Sequence, residues 1–526
     1  MRTAASDRNP EEEFTVLNVV TAIQRTPLFG SMFSVDESTG LEEINAWPSL
    51  MVMTSFVWLA VAGLFGVLMP ITQLLGMQSN LFYTAITAHG AALVFPFLVQ
   101  LMMGVSLHRA GSCMGKPATG ILTKLTYYFM NIGAALLTVA ILFGLKISYA
   151  LMYPLPVVGV QLGQWSMDVV VIGFSGIALI LVAVIVLYPL QILKMLFFGD
   201  QREDLLLSPR TLNDPGMLGM AMAVFILLVM GSPILIVASA VLLGLYGIVP
   251  MEAISWATEP VVFQFAFWIF AHNLMEAMAI MVISAVYGTL PLYLADGTRK
   301  LYSDRIANLA LWILLVTSVT SFFHHFYTMF PALPSALAYH GNIMSWGTGI
   351  GAALTIFTVL ATIWKHGLRP APGIMMVLMG FVLYVLDGVS AIVTSNVAWS
   401  FQLHGTMFAS GHTMAVLISI SMMWMGVFYH HYPVITGRTL NQKLGNWFIK
   451  LYMVGAIGAM YAMLAGGAAG MPRRFAAWNQ EGWMIYGVFI LIFGLILGAS
   501  LFVFAYDLLK SSDITTIPGE QATAIS

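Results

Sequence analysis

Charge is what this sequence lacks most. Only 8% of its 526 residues are Asp, Glu, Lys or Arg, 59% are hydrophobic, and mean hydropathy is +0.88. A soluble globular chain carries about 25% charged residues, so the composition excludes a water-soluble enzyme and points to a polytopic membrane protein. Cysteine is nearly missing too, since Cys113 stands alone. A single cysteine excludes an internal disulfide, a CxxCH heme-attachment motif and a Cys-based copper or iron–sulfur centre. Any such electron-entry centre must sit on another chain. A net charge of −2 says nothing of partners, and no basic run suggests nucleic acid. Residues 1–50 are polar and acidic, with Glu11, Glu12 and Glu13 in a row, unlike a cleavable signal peptide. No internal repeat, low-complexity linker or second domain interrupts the rest.

What the chain does have is long apolar runs. Runs of about 20 residues read as membrane-spanning helices. Twelve are expected, near 51–77, 81–107, 125–150, 167–193, 217–247, 258–290, 304–330, 335–364, 373–397, 401–429, 447–469 and 481–508. Turn-rich breaks such as Met77–Asn80 and Pro331–Pro334 separate them. The expected fold is therefore an all-α integral membrane bundle of twelve helices over residues 51–508. A cytoplasmic segment, 1–50, precedes it and a cytoplasmic tail, 509–526, follows. With both termini in the cytoplasm, only Lys146, Arg473 and Arg474 among the 21 Lys and Arg fall outside. That asymmetry is what the positive-inside rule demands, and it leaves the Arg473–Arg474 pair needing a reason.

His89, His272, His324, His325, His404 and His412 all fall within expected spans. An ionisable residue at membrane depth is costly and marks a functional site by default. Several imidazoles together, including an adjacent pair, suggest metal ligation. At about 1.5 Å rise per residue, the buried ligand candidates sit at roughly 10–20 Å depth in the outer half of the membrane. Helices running in opposite directions agree on that level. His412 and Met414 are two residues apart and so point to nearly opposite faces of helix 10. A helix with a ligand on each face can stand between two cofactors. His and Met are both heme ligands, and a His/Met pair raises the iron potential. Spacing alone, however, leaves Met414 as one of 36 methionines, most of them core filler.

These segments resemble the catalytic subunit I of the heme–copper oxidase superfamily, which includes terminal oxidases and nitric oxide reductases. The resemblance covers essentially the whole chain. Thr87–Ala88–His89–Gly90 is similar to the helix 2 motif that gives an axial ligand to a low-spin heme. Trp268–Ile269–Phe270–Ala271–His272 resembles the helix 6 motif with the first ligand of a non-heme metal, and His324–His325–Phe326–Tyr327–Thr328 the helix 7 pair that completes that site. Leu403–His404–Gly405–Thr406 and Gly411–His412 resemble helix 10, where the first His lies near heme propionates and the second ligates a high-spin heme. Gly470–Met471–Pro472–Arg473–Arg474 is similar to the outer loop whose arginines hold propionates, and bidentate guanidinium–carboxylate pairing would account for the exceptional Arg pair.

The departures from the pattern are informative. The residue two after the high-spin His is usually a second His, and here it is Met414, which the resemblance makes the axial partner of His89. The common oxidases carry a tyrosine four residues after the first metal-binding His, and here Glu276 stands there. Another branch places its tyrosine six residues before the His pair, where this chain has Ser318. Residues i and i+4 share a helix face, so the Glu276 carboxylate should point where His272 points. A His-x-x-x-Glu arrangement resembles the nitric oxide reductases, in which a carboxylate ligates or adjoins the metal. The alternative for Glu276 is a proton-path carboxylate without metal contact. Helix 8, unlike its counterpart in the cytochrome c-dependent reductases, has no Asp or Glu. Asp387 on helix 9 is the other deeply placed acid; proton transfer or a bond to a neighbouring Ser or Thr would each explain it.

The expected protein is thus a multi-pass catalytic subunit of the bacterial inner membrane, embedded in lipid. His89 and Met414 would hold a low-spin heme, and His412 a high-spin heme facing a non-heme metal on His272, His324 and His325. Three imidazoles suit copper, and an added Glu276 oxygen would shift the preference to iron. His404, Arg473 and Arg474 would meet the propionates. The favoured reaction is reduction of NO to N2O, with electrons from a cytochrome c-type periplasmic donor through a membrane-anchored subunit carrying copper or heme c. Reduction of O2 to water is the nearest alternative. A twelve-helix secondary transporter with histidine proton relays is a remote one, suggested by the loop Ala295–Asp296–Gly297–Thr298–Arg299–Lys300.

Overall fold

The computed structural model describes residues 42–77, 79–114, 118, 120–147, 165–197, 213–328, 334–436, 438–478 and 480–513. Most of the expected terminal segments, 1–41 and 514–526, lie outside them. Among the described residues twelve helices are long and apolar enough to cross a membrane. They are α1 Trp47–Leu74, α2 Asn80–Cys113, α3 Ile121–Leu142, α4 Met167–Phe197, α5 Pro215–Leu245, α6 Pro260–Tyr293, α7 Asp304–Phe326, α8 Ser335–His366, α9 Pro372–Ser395, α10 Met407–Thr436, α11 Gln442–Ala468 and α12 Glu481–Leu509.

Nearly all twelve are hydrophobic all round, as helices must be when lipid or protein surrounds them on every side. Their burial sorts them. In the most apolar windows of α2, α6 and α10, 72% of residues are buried, against 22% for α8 and 11% for α12. The three central helices are those that carry His89, His272 and His412. Without a hydrophobic drive between helices in lipid, small residues let backbones approach. Gly133 of α3 and Gly176 of α4 face each other so closely that a Cβ on either would meet the other's carbonyl oxygen at 2.6 Å.

Several boundaries depart from expectation, and three of them have a visible local cause. Helix α3 stops at Leu142, short of 150, because the chain turns through Gly144 at φ 123°, a left-handed value that favours glycine. Helix α7 is α-helical only to Ser321 and then tightens into a 3-10 turn over Phe322–Phe326, which holds the His pair. Helix α10 begins at Met407 rather than 401. A separate short helix, Val397–Leu403, precedes it, started by the Asn396 side chain, which accepts from the Ala398 and Trp399 amides. His404 therefore lies in the break between two helices and not within a span.

Candidate metal centre

His272 of α6 and His324 and His325 of α7 converge, with one ligand nitrogen from each lying within 4.8 Å of the others. Ring centroids are 4.9 Å apart for His272–His324 and 4.3 Å for His324–His325. The Trp268 indole lies flat on His325, 3.7 Å away and tilted by 12°, and so fixes that ring. Hydroxyls orient the other two. The Ser345 hydroxyl donates to the Gly341 carbonyl, so its oxygen accepts from His324 Nδ1 at 2.9 Å and leaves Nε2 for a metal. The Ser321 hydroxyl likewise donates to the Ser318 carbonyl and accepts from His272 Nε2 at 2.7 Å, which leaves Nδ1. Glu276 shares the face of His272 as its spacing requires, with Oε1 3.7 Å from Nε2. That nitrogen is the one Ser321 already engages. The cluster whose ligand atoms lie within 4.8 Å of one another consists of the three imidazoles, and the Glu276 carboxylate stands beside it.

The His412 ring of α10 faces the same cavity. Its Nδ1 lies 3.0 Å from Asp387 Oδ1 on α9, which leaves its Nε2 available. Asp387 is only 2% exposed and also accepts from the Ser390 hydroxyl. On α2, His89 Nδ1 donates to the Ala62 carbonyl at 2.8 Å. A carbonyl can only accept, so Nε2 is again the free donor atom. Gly66 of α1 makes room for that ring, since a Cβ there would meet His89 Nδ1 at 2.8 Å. Met414 lines the cavity with His89 and His412.

The arginine end of the site is stitched by backbone. The Met407 amide donates to the Met471 carbonyl at 2.8 Å, the Arg473 amide to the Gly405 carbonyl at 3.2 Å, and Thr406 bridges Pro472. Arg474 takes a left-handed φ of 65°, which costs a non-glycine residue about 1–2 kcal/mol. Strain of that kind persists where surrounding contacts impose it, often at ligand clamps. Arg473, Arg474 and His404 line the same cavity as the other ligands. Burial, with the two guanidinium charges, pushes the His404 pKa down to about 4.

All these side chains open on one cavity of about 720 Å³. Its donors suit hemes and a metal: four imidazoles (His89, His272, His324 and His412) with one nitrogen already bonded, the stacked imidazole of His325, a thioether, and two guanidiniums at one end. A bond to the other ring nitrogen sets the tautomer and orientation of a metal-binding histidine. Sequence reasoning missed Tyr384, which lines the cavity with Glu276 and Asp387. The available signal was its position one turn before Asp387 on the same helix face. It also missed the serines that orient the rings, which only tertiary packing brings into reach.

The family model of Cytochrome C and Quinol oxidase polypeptide I matches residues 49–496. The chain is 21% identical to cytochrome c oxidase subunit 1 of Thermostichus vulcanus, over 85% of this chain and 80% of that one. It is 24% identical to quinol oxidase subunit 1 of Bacillus subtilis over 49% of this chain, a match spanning 39% of that protein. A solved heme–copper terminal oxidase dimer superposes with a TM-score of 0.69 at 18% identity, covering 91% of this chain and 90% of that one.

Proposed function

Because the chain belongs to the cytochrome c and quinol oxidase polypeptide I family, and is therefore a multi-pass heme–copper oxidoreductase subunit of the bacterial inner membrane, we propose that its reaction is the reduction of NO to N2O. Two NO molecules, two electrons and two protons give one N2O and one water. The observation that carries this reading is Glu276, a carboxylate beside the tri-histidine cluster at the helix 6 position where oxidases carry tyrosine.

His89 and Met414 would hold a low-spin heme, His412 a high-spin heme, and His272, His324 and His325 a non-heme metal. The hemes would supply electrons, and the high-spin iron and the metal would supply two facing binding positions. Three imidazoles without a carboxylate in the cluster favour copper over iron. Arg473, Arg474 and His404 would meet the propionates, with His404 held neutral. Glu276 is well placed to hand a proton to the cavity, since it lies within reach of the cluster without being tied up as a ligand. The chain has one cysteine, so electrons would enter through a membrane-anchored partner subunit carrying copper or heme c, from a cytochrome c-type donor. Asp387, in contact with His412 and Ser390, would position a ligand rather than carry a proton.

A second reading, reduction of O2 to water, is favoured by the oxidase names of the relatives and by Tyr384, a phenol in the same cavity able to give an electron and a proton. Turnover of the purified complex with NO and with O2, alongside metal analysis, separates the two. The expected result is faster N2O formation than O2 consumption. Glu276→Ala should lower NO turnover by about 10²–10⁴-fold, the usual weight of a general acid, with both hemes retained. Rapid O2 reduction with negligible N2O would overturn the proposal in favour of the second reading, and Tyr384→Phe should then abolish it.

A further inference from the structure

We infer that Asp387 is a positioning residue for the high-spin heme: by accepting the Nδ1 proton of His412 it fixes the ring and makes Nε2 a stronger donor to iron. The inference rests on the assignment of His412 to that heme and is independent of whether NO or O2 is the substrate.

The geometry is specific. Oδ1 of Asp387 lies 3.0 Å from His412 Nδ1, across the contact between α9 and α10. A carboxylate anion so deeply buried is strongly destabilising unless paired and hydrogen-bonded. Here it has two donors on one oxygen, the imidazole and the Ser390 hydroxyl. Ser390 also stands 3.4 Å from Nδ1, but its own proton goes to Asp387, so it buttresses the carboxylate. As a carboxylate this acceptor would be anionic, whereas His89, the other proposed axial imidazole, has only a neutral carbonyl at Ala62. Charge-assisted hydrogen bonds are roughly twice as strong as neutral ones. A carboxylate on the outer nitrogen raises ligand basicity, and a more basic imidazole favours ferric over ferrous iron. Helices α2 and α10 therefore present two imidazoles of different donor strength. With Met414 opposite it, His89 would be paired with a thioether, which favours the reduced state, and an anionic Asp387 behind His412 would favour the oxidised one.

Three variants test this. Asp387→Asn keeps an acceptor and the volume but removes the charge. It should retain both hemes, lower the ferrous iron–histidine stretching frequency in resonance Raman spectra, and raise the high-spin midpoint potential. Outer-shell partners typically alter such equilibria 10–100-fold, and a tenfold change in a one-electron equilibrium is 59 mV. Asp387→Leu removes the acceptor and should lower high-spin heme occupancy. His412→Ala tests the underlying assignment and should eliminate the high-spin heme and the iron–histidine band altogether. Survival of that band in His412→Ala would overturn the ligand assignment itself. An Asp387→Asn protein with full heme content and unchanged frequency and potential would overturn the inference while leaving the assignment standing.

Discussion

Replacing Gly467 by alanine should detach the high-spin site from the rest of the protein. Gly467 lies near the end of α11, against the first turn of α10. A Cβ built there would sit 1.8 Å from the Phe408 amide nitrogen and 2.5 Å from its Cα, where ordinary contact begins at 3.4 Å. The obstructing atoms are backbone, so no rotamer change relieves them, and the two helices must part by roughly 1.6 Å at this point. The start of α10 cannot drift freely, because the Thr406 hydroxyl oxygen accepts the Phe408 amide and the Met471 carbonyl accepts that of Met407. Overpacking of this kind costs about 1–3 kcal/mol. The functional effect should be larger, because His412 lies one turn beyond Phe408 on the same face and a 1 Å misplacement of a reacting group costs about 10²-fold. The assay is turnover together with the carbon monoxide difference spectrum of the high-spin heme. Turnover should fall about a hundredfold with the low-spin heme on α2 still present. Gly494→Ala in α12 is the control, since a Cβ there meets nothing within 4 Å and alanine favours a helix by about 1 kcal/mol. Native turnover and carbon monoxide binding in Gly467→Ala would falsify the claim that this contact sets the position of His412.

Further outcomes are expected elsewhere in the site. Met414→His should keep the low-spin heme and lower its potential, because thioether ligation favours reduced iron; a bis-histidine near-infrared spectrum in the native protein would refute the ligand pair. His325→Ala should strip the non-heme metal, read by metal analysis, while leaving the low-spin heme spectrum intact; full metal occupancy would exclude the tri-histidine site. Burial and the two guanidinium charges push the His404 pKa down to about 4 from near 6.5 in the unfolded chain, so in the heme-free protein the unfolded chain binds the extra proton between these values. Stability should therefore fall as pH drops from 6.5 towards 4. His404→Gln should remove that part of the slope, and superimposable melting-midpoint profiles for the two proteins would show that His404 does not contribute it.

The span count and the convergence of His272, His324 and His325 were legible because hydropathy and depth are local properties of a helix. Residues i and i+4 put Glu276 beside His272 for the same reason. Legibility ended where a third element decides the outcome. The tightening of α7 at the His pair occurs where α8 comes so close that a Cβ on Gly341 would sit 2.9 Å from the His324 amide nitrogen, an approach that no periodicity in residues 304–330 reveals. Helix α10 starts at 407 rather than 401 because the 405–407 segment bonds to the Arg473 loop, roughly 65 residues further along the chain. Asp387 was visible as a deep acid with a serine three residues away, yet its engagement with His412 depends on how α9 leans on α10. Tyr384 shares that face, but it lies on helix 9, away from both positions at which the family resemblance places a tyrosine.

The cavity wall, drawn from α2 through α10 and the Arg473–Arg474 loop, also dictates a sequence of events in time. His89 leaves the ribosome long before Met414, and at typical synthesis rates the roughly 320 residues between them take on the order of half a minute. Through that interval His89 has its Ala62 partner on α1, but on the proposed ligand set it would lack an opposing ligand and the arginines that would meet the propionates. Neither proposed heme would be held by the tenth helix until that helix has entered the bilayer, and the arginine loop would follow only after the eleventh. On that reading cofactor loading would be a late, post-insertion step, and a chain truncated before residue 407 would be a heme-free stack of apolar helices with an open seam along its middle.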